Sequence, residues 1–375
     1  MLRIVGILSL LLTFYEVGAQ GESCTARLQA AEDAYQAGKM RQVVGLLEAC
    51  VGRKGLDKED RISALSLLTR AYLVLDLKTP AQHNMIELLS LEPEYQVPVG
   101  EMDMLYLYGE IRTRPFAYWS TRVGGHLTDI NFQSTLGEDG IGQKTEIVQQ
   151  GINPSLFLGT ELSFRLFSGL ELGLEAAFQQ YRWTRQTKVQ SLSKVPDSTS
   201  INFDFIELEN EEALANLQGT LMLRYRWFTY PGRGQEQRWN PYVFIGIGGQ
   251  RLLNGQINTI NRQTIVEDTS RAPVNQGANI GTFHQNADSS LRRAYNLSLI
   301  GGVGLSWKIG KTFLGLEARY THLIYDTALI ANRYTASSSP ELLFSYGYLD
   351  ESFFLRNLGI SLDWTVPLYR PKLKK

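Results

Sequence analysis

The chain is poor in the residues that usually carry chemistry. It has only two cysteines and four histidines in 375 residues. No Gly-x-Ser-x-Gly elbow, metal-ligand cluster or phosphate-cradling loop occurs in it, and no cofactor is expected. Basic and acidic residues nearly cancel, leaving a formal net charge of −1. That balance gives no electrostatic footprint for nucleic acid. After the first residues there is no uninterrupted apolar run of membrane-helix length. A hydropathy scan would therefore read the remainder as soluble. Barrel strands escape such a scan, because alternation averages to mild hydropathy. The 34 glycines, 18 tyrosines, 16 phenylalanines and six tryptophans hint at β architecture.

The first 19 residues read as an export signal. Arg3 supplies positive charge, Ile4 to Phe14 form a short apolar core, and Val17-Gly18-Ala19 ends in small residues. The apolar core is too short for a membrane anchor. Gly21-Glu22-Ser23 lacks the aliphatic residue that a lipoprotein site at Cys24 would need. Export would place both cysteines in an oxidising compartment, where a disulfide is allowed.

Residues 20–110 read as a periplasmic helical domain. Ala26, Ala30, Ala31, Ala34 and Tyr35 fall at helical spacing, Gly38 interrupts them, and Val43, Val44, Leu46 and Leu47 begin a second helix. In such a hairpin the start of one helix lies beside the end of the other, so Cys24 and Cys50 would bridge it. Ile62, Leu65, Leu68, Ala71 and Tyr72 form one further apolar face, and Met85, Leu88 and Leu89 another. A last helix is expected near 99–108. Ala-Tyr-Gln-Ala-Gly at 34–38 and Leu-Glu-Pro-Glu-Tyr at 91–95 resemble tetratricopeptide-type repeats. That resemblance implies a groove for a peptide or protein partner, expected within 22–110 and around Tyr72 and Leu88. The alternative is a structural spacer.

Residues 111–115 are expected to be a linker, and from Phe116 the period changes to two. Eight segments follow, at 116–131, 152–167, 170–188, 213–230, 239–257, 292–309, 312–327 and 353–368. Short connections alternate with four long ones, at 132–151, 189–212, 258–291 and 328–352. That is the arrangement of an outer-membrane barrel. The fold class expected is α+β multidomain: a helical hairpin-repeat domain followed by an eight-stranded antiparallel transmembrane β-barrel over 116–375. Leu156, Leu158 and Leu162 share a face opposed by Glu161, Ser163 and Arg165. Leu358, Ile360, Leu362 and Trp364 oppose Asn357, Ser361 and Asp363. The apolar face should meet lipid, because an outward charge near the midplane costs about 2–4 kcal/mol. A soluble lipocalin-type barrel would invert this pattern. Trp119, Trp227, Trp239, Trp307 and Trp364 fall at the periplasmic strand ends, as an aromatic girdle would. Trp183 lies toward the other end.

The region 116–375 resembles the PorT-like outer-membrane β-barrel proteins of the Bacteroidota. The Arg112-Thr113-Arg114-Pro115-Phe116 entry and the Leu-Gly-Ile-Ser-Leu-Asp-Trp end at 358–364 carry the likeness. It implies a role in secretion or envelope assembly, and no catalytic residues.

Strand parity predicts a lumen holding Arg122, Arg165, Arg224, Arg226, Lys308 and Arg319 against Glu161, Glu171, Glu175, Glu317 and Asp363. Near balance suggests a salt-bridged plug rather than a selective pore. His126 should face this lumen. His322 should share the lipid face with Leu316 and Tyr320. A lipid A deacylase-like site would carry a serine two residues after such a histidine, where Ile324 stands. The leading expectation is a non-enzymatic scaffold that contacts membrane lipid and docks a periplasmic protein. The rivals are a surface binding protein acting through outer loops and a lipid-modifying barrel enzyme. The loops at 191–200 and 257–287 are polar, 275–286 is expected to be disordered, and the basic tail at 370–375 is expected to be solvated.

Overall fold

The computed structural model describes residues 18–52, 56–134, 145–167, 169–191, 204–227, 239–266, 274–278, 282–284, 292–329 and 352–374. Residues 1–17 of the expected export signal and most of the polar run at 191–200 lie outside them. The chain divides into two compact units: 1–116 with 369–375, and 117–368.

The first unit contains helices α1 (Gly18–Gln36), α2 (Met40–Val51), α3 (Lys58–Val74), α4 (Lys78–Leu91) and α5 (Met102–Glu110). Two hairpins are built the same way. Gly38 adopts φ 74 after α1, with its N–H donating to Tyr35 O and that of Lys39 to Ala34 O. Asp76 adopts φ 58 after α3, with its N–H donating to Leu73 O and that of Leu77 to Tyr72 O. Both are Schellman closures, which satisfy the last helical carbonyls. Helix α3 starts at Asp57, whose carboxylate accepts the Asp60 N–H at 2.8 Å. Cys24 and Cys50 form a disulfide with Cα atoms 5.7 Å apart, closing the first hairpin.

Leu47, Leu65, Leu68, Met85, Leu88 and Leu89 form the core of this unit. Tyr72 and Leu88 are themselves buried in that core. Exposed large apolar residues of the helices and their connections include Val74, Leu77, Val99, Met102, Leu105 and Tyr106. At the domain's end, Lys78 donates to Glu110 at 2.8 Å, and this hydrogen bond holds the Glu110 carboxyl below its usual range.

The expected linker contains a strand, β1 (Ile111–Arg112), paired antiparallel with β13 (Lys372–Leu373). The basic tail is correspondingly not free. Lys374 N–H donates to Glu110 O at 2.8 Å, and residues 369–375 belong to the helical unit rather than to the barrel. Backbone pairing satisfies peptide groups that a solvated tail would leave to water.

The second unit is a closed antiparallel barrel. Its eight strands are β2 (Ala117–Ser134), β4 (Pro154–Arg165), β5 (Leu170–Ser191), β6 (Asp204–Arg226), β7 (Trp239–Val266), β10 (Tyr295–Ile309), β11 (Thr312–Leu323) and β12 (Ser352–Leu368). Neighbours in sequence among these eight pair, β2 joins β12, and β7 pairs β10 across residues 267–294. Gly310 at φ 59 leads the two-residue turn between β10 and β11, where a left-handed first position is required.

Strands β5, β6 and β7 run 22, 23 and 28 residues, well beyond the about 9–11 that cross a bilayer. Their far ends carry β3 (Thr145–Ile152) on β5, and β8 (Val274–Ala278) and β9 (Thr282–His284) on β7. Segments expected to be loops are thus partly sheet. Within the stretch expected to be disordered, 275–278 and 282–284 pair with β7. Register to an existing strand end supplies the hydrogen bonds that polar composition alone does not reveal.

No described helix is long and apolar enough to cross a membrane. Replacing Cys50 with serine should destabilise the helical unit by about 2–4 kcal/mol. Thermal circular dichroism should show the helical signal lost at lower temperature with the barrel signal unmoved. An unshifted helical transition would contradict this role.

Candidate functional site in the barrel lumen

Alternation along each barrel strand sends one set of side chains inward and the other out. The outward set is apolar: Val123, Leu158, Leu174, Leu221, Ile247, Leu299, Leu316, Leu358, Ile360 and Leu362 are all exposed. The inward set carries the charged and polar residues, packed with a smaller number of apolar side chains such as Met222, Phe244 and Ile300. This is the reverse of a soluble barrel, which would bury its apolar face. An apolar band of this kind is the surface of a barrel that spans a lipid bilayer.

The tryptophans sit at one end. Trp239 and Trp307 are register partners with rings 5.1 Å apart. Trp119, Trp227 and Trp364 are each about half exposed on the same outward face. All lie at the strand ends where the chain enters at Ala117 and leaves at Leu368. Trp183, by contrast, is buried against Phe353 inside the barrel.

Four arginines and four glutamates occupy the lumen centre. Arg122 bonds both Glu161 and Glu175, and its guanidinium lies 3.6 Å from Glu317. Arg319 grips Glu175 through two nitrogens, at 2.6 and 2.8 Å, and reaches Glu317 at 2.9 Å. Arg224 donates to Glu161 at 2.8 Å, and Arg226 to Glu171 at 2.9 Å. Tyr242 adds a hydroxyl 3.1 Å from Glu317, and its ring carries the Arg224 and Arg226 guanidiniums at 4.9 Å each. Arg319 lies over Phe157 and Phe244, at 5.0 and 5.4 Å. These side chains come from six barrel strands, and the charges among them neutralise one another inside the barrel.

Of the remaining expected lumen residues, Asp363 is the register partner of Arg122 and borders this cluster, while Arg165 and Lys308 lie near strand ends. Arg165 is half-buried near its strand end, with Nε donating to Phe167 O at 3.4 Å. Lys308 is half-buried near the tryptophan end of β10. Asp363 is buried and accepts from Thr365 at 3.2 Å. Its carboxylate fills the space beside Gly315, where a Cβ would collide with it. His126 faces the lumen edge-on to Tyr181, with ring centroids 5.3 Å apart. Tyr181 in turn donates to Gln250 at 2.8 Å. His322 is half-buried, with its ring 6.2 Å from Phe354.

Two features of the interior go beyond what strand alternation singles out. One is Tyr242 with its arginine stack, which parity from Trp239 places inward. The other is a second ion pair at the far end, between fully buried Arg292 and Glu212, at 2.5 and 2.7 Å. Arg292 also lies 5.2 Å over Phe353, within an apolar group of Ile130, Trp183, Leu214, Leu252, Leu323 and Leu355. The lumen is therefore filled by ion pairs at its centre and by apolar packing near the far rim.

No family model matches the chain, and no curated protein matches it. Among solved structures it is similar to the outer membrane protein OprG of Pseudomonas aeruginosa, at 13% identity and TM-score 0.32, over 68% of this chain and 98% of that one. It is also similar to Neisserial surface protein A, at 9% identity and TM-score 0.30, over 67% and 99%. A third similar structure is the outer membrane protease OmpT of Escherichia coli, at 7% identity and TM-score 0.36, over 74% and 100%.

The network makes a quantitative expectation. Arg319→Met leaves Glu175 with Arg122 alone and should cost about 3–5 kcal/mol, as breaking a buried pair does. The double change Arg319→Met with Glu175→Leu should recover most of that loss. Urea unfolding in lipid vesicles measures both. A single variant as stable as the parent would contradict the network's structural role.

Proposed function

We propose that the protein is a non-enzymatic outer-membrane scaffold, of the envelope-assembly or secretion kind that the PorT-like resemblance implies. The barrel anchors it, and the helical unit, held in the periplasm, docks a partner protein. The observation that carries this reading is the exposed apolar face of the helical unit: Val99 and Met102, Leu105 and Tyr106 on α5. Soluble helices bury such a stripe, and exposed ones mark interaction sites. The filled lumen supports it further, since a filled interior suits an anchor better than a conduit. The paired hairpins support a repeat-like groove, although their closures at Gly38 and Asp76 are 38 residues apart, longer than the 34-residue tetratricopeptide period.

The sheet extension of β3, β5, β6, β7 and β8 favours a second reading, surface binding by the far end of the barrel. Edge strands there are templates for an added strand.

A photo-crosslinking residue at Met102, in envelopes of cells making the full chain, separates these. The expected result is one discrete protein adduct, lost when Tyr106→Glu is added. Adducts formed only from a crosslinker at Asn254, on β7 opposite His284 of β9, would overturn docking by the helical unit.

A further inference from the structure

The outward face of β6, β7 and β10 contains a dent. Gly219 and Gly249 are register partners on neighbouring strands, and both face out. A Cβ built on either meets nothing within 4 Å, so packing inside the protein does not require glycine at these positions. Outward glycines also sacrifice strand stability, and glycine in a strand interior often marks close approach of a ligand. The missing side chains open two contiguous hollows of about 510 and 430 Å³, which share Gly219, Gly249 and Leu297. Leu217, Leu221 and Ile247 complete their apolar walls. Each is within the about 300–1,000 Å³ of ordinary ligand clefts.

One end of this groove is basic and aromatic. Arg251, Tyr295 and Tyr325 line the 430 Å³ hollow. The Arg251 guanidinium is 5.8 Å from the Tyr295 ring. Arg293 is 5.4 Å from the Tyr325 ring, with Nε donating to Asp326 O at 2.9 Å. Chain geometry fixes the depth of this cluster. Twelve residues of β7 separate Trp239 from Arg251. At about 3.4 Å per residue and a tilt near 40°, they rise about 31 Å. The hydrocarbon core is about 30 Å thick. With the tryptophan belt at one interface, Arg251 therefore reaches the other, and the glycine dent lies just inside it.

An apolar trough beneath two guanidiniums matches an acyl chain beneath an anionic head. Arginine binds phosphate through paired N–H donors, and aromatic rings suit the interface. We infer that the Gly219–Gly249 groove is a binding site for an anionic, phosphate-bearing lipid of the far leaflet, with its acyl chain against the glycines and its phosphate on Arg251 and Arg293. This rests on the barrel spanning the bilayer and not on docking by the helical unit.

Native mass spectrometry of the full chain in detergent tests it, with phosphatidylglycerol and phosphatidylcholine of identical acyl chains as probes. Gly249→Leu fills the trough from a position where a Cβ meets nothing within 4 Å, and the Arg251→Gln, Arg293→Gln double variant removes the charge. Heat-dependent electrophoretic mobility reports that each variant is folded. The parent should retain phosphatidylglycerol in preference to phosphatidylcholine. Both variants should lose about tenfold of that retention, the equivalent of about 1.4 kcal/mol. Equal retention of the two lipids, or unchanged retention in folded variants, would overturn the site. So would a parent that retains neither lipid. A concentration-dependent dimer abolished by Gly249→Leu, with lipid retention unchanged, would assign the groove to a second copy instead.

Discussion

Placing Arg122, Arg224, Arg226 and Arg319 inside a closed barrel is possible only because Glu161, Glu171, Glu175 and Glu317 meet them there. An isolated charge so buried would be prohibitively costly, and attraction offsets desolvation only when geometry and hydrogen bonding are both satisfied. Much of the barrel follows from that constraint. The charged residues must alternate with apolar ones so that all of them point inward. The strands must close, so that no backbone group is left unpaired in lipid. Large inward side chains need small neighbours: Tyr242 occupies the space that Gly304 leaves, and Asp363 that of Gly315.

The outward face is the complement of that interior. Because the charges are turned in, the leucines, isoleucines and valines are turned out, and the tryptophans mark one boundary of the resulting band. At that boundary the chain passes into the helical unit at both of its ends. The β1–β13 ribbon ties the N-terminal entry and the C-terminal exit together within that unit, and the Cys24–Cys50 bridge closes its first hairpin. Beyond the other boundary, β5, β6 and β7 continue as sheet with β3, β8 and β9 added.

What could be read in the sequence followed the strength of its periodicity. Barrel strands show a two-residue alternation over ten or more positions, so the eight strands and the facing of Arg122, Glu175 and Glu317 were legible. The helical hairpin, and with it the Cys24–Cys50 pairing, followed from helical spacing and one glycine. Tyr242 was accessible by parity from Trp239, but aromatic residues also suit the lipid interface, so the residue type gave no direction. Arg292 and Glu212 pair across 80 positions from segment ends, where alternation is too short to fix a face. The extensions of β5 to β7 have polar composition, which reads as loop until a paired neighbour is known. The two-residue ribbon at 111–112 and 372–373 is too short to have a period. Tyr72 and Leu88 looked available because apolar faces announce burial without saying against what, and here the partner is the unit's own core.

The sidedness of the barrel wall is tested most directly by spin labels scanned along β12 from Asn357 to Asp363 in lipid vesicles. Labels at positions 358, 360 and 362 should show high oxygen accessibility, and labels at 357, 361 and 363 low accessibility, repeating every second residue. A flat profile, or one with the even positions protected from oxygen, would contradict a charged interior within an apolar wall.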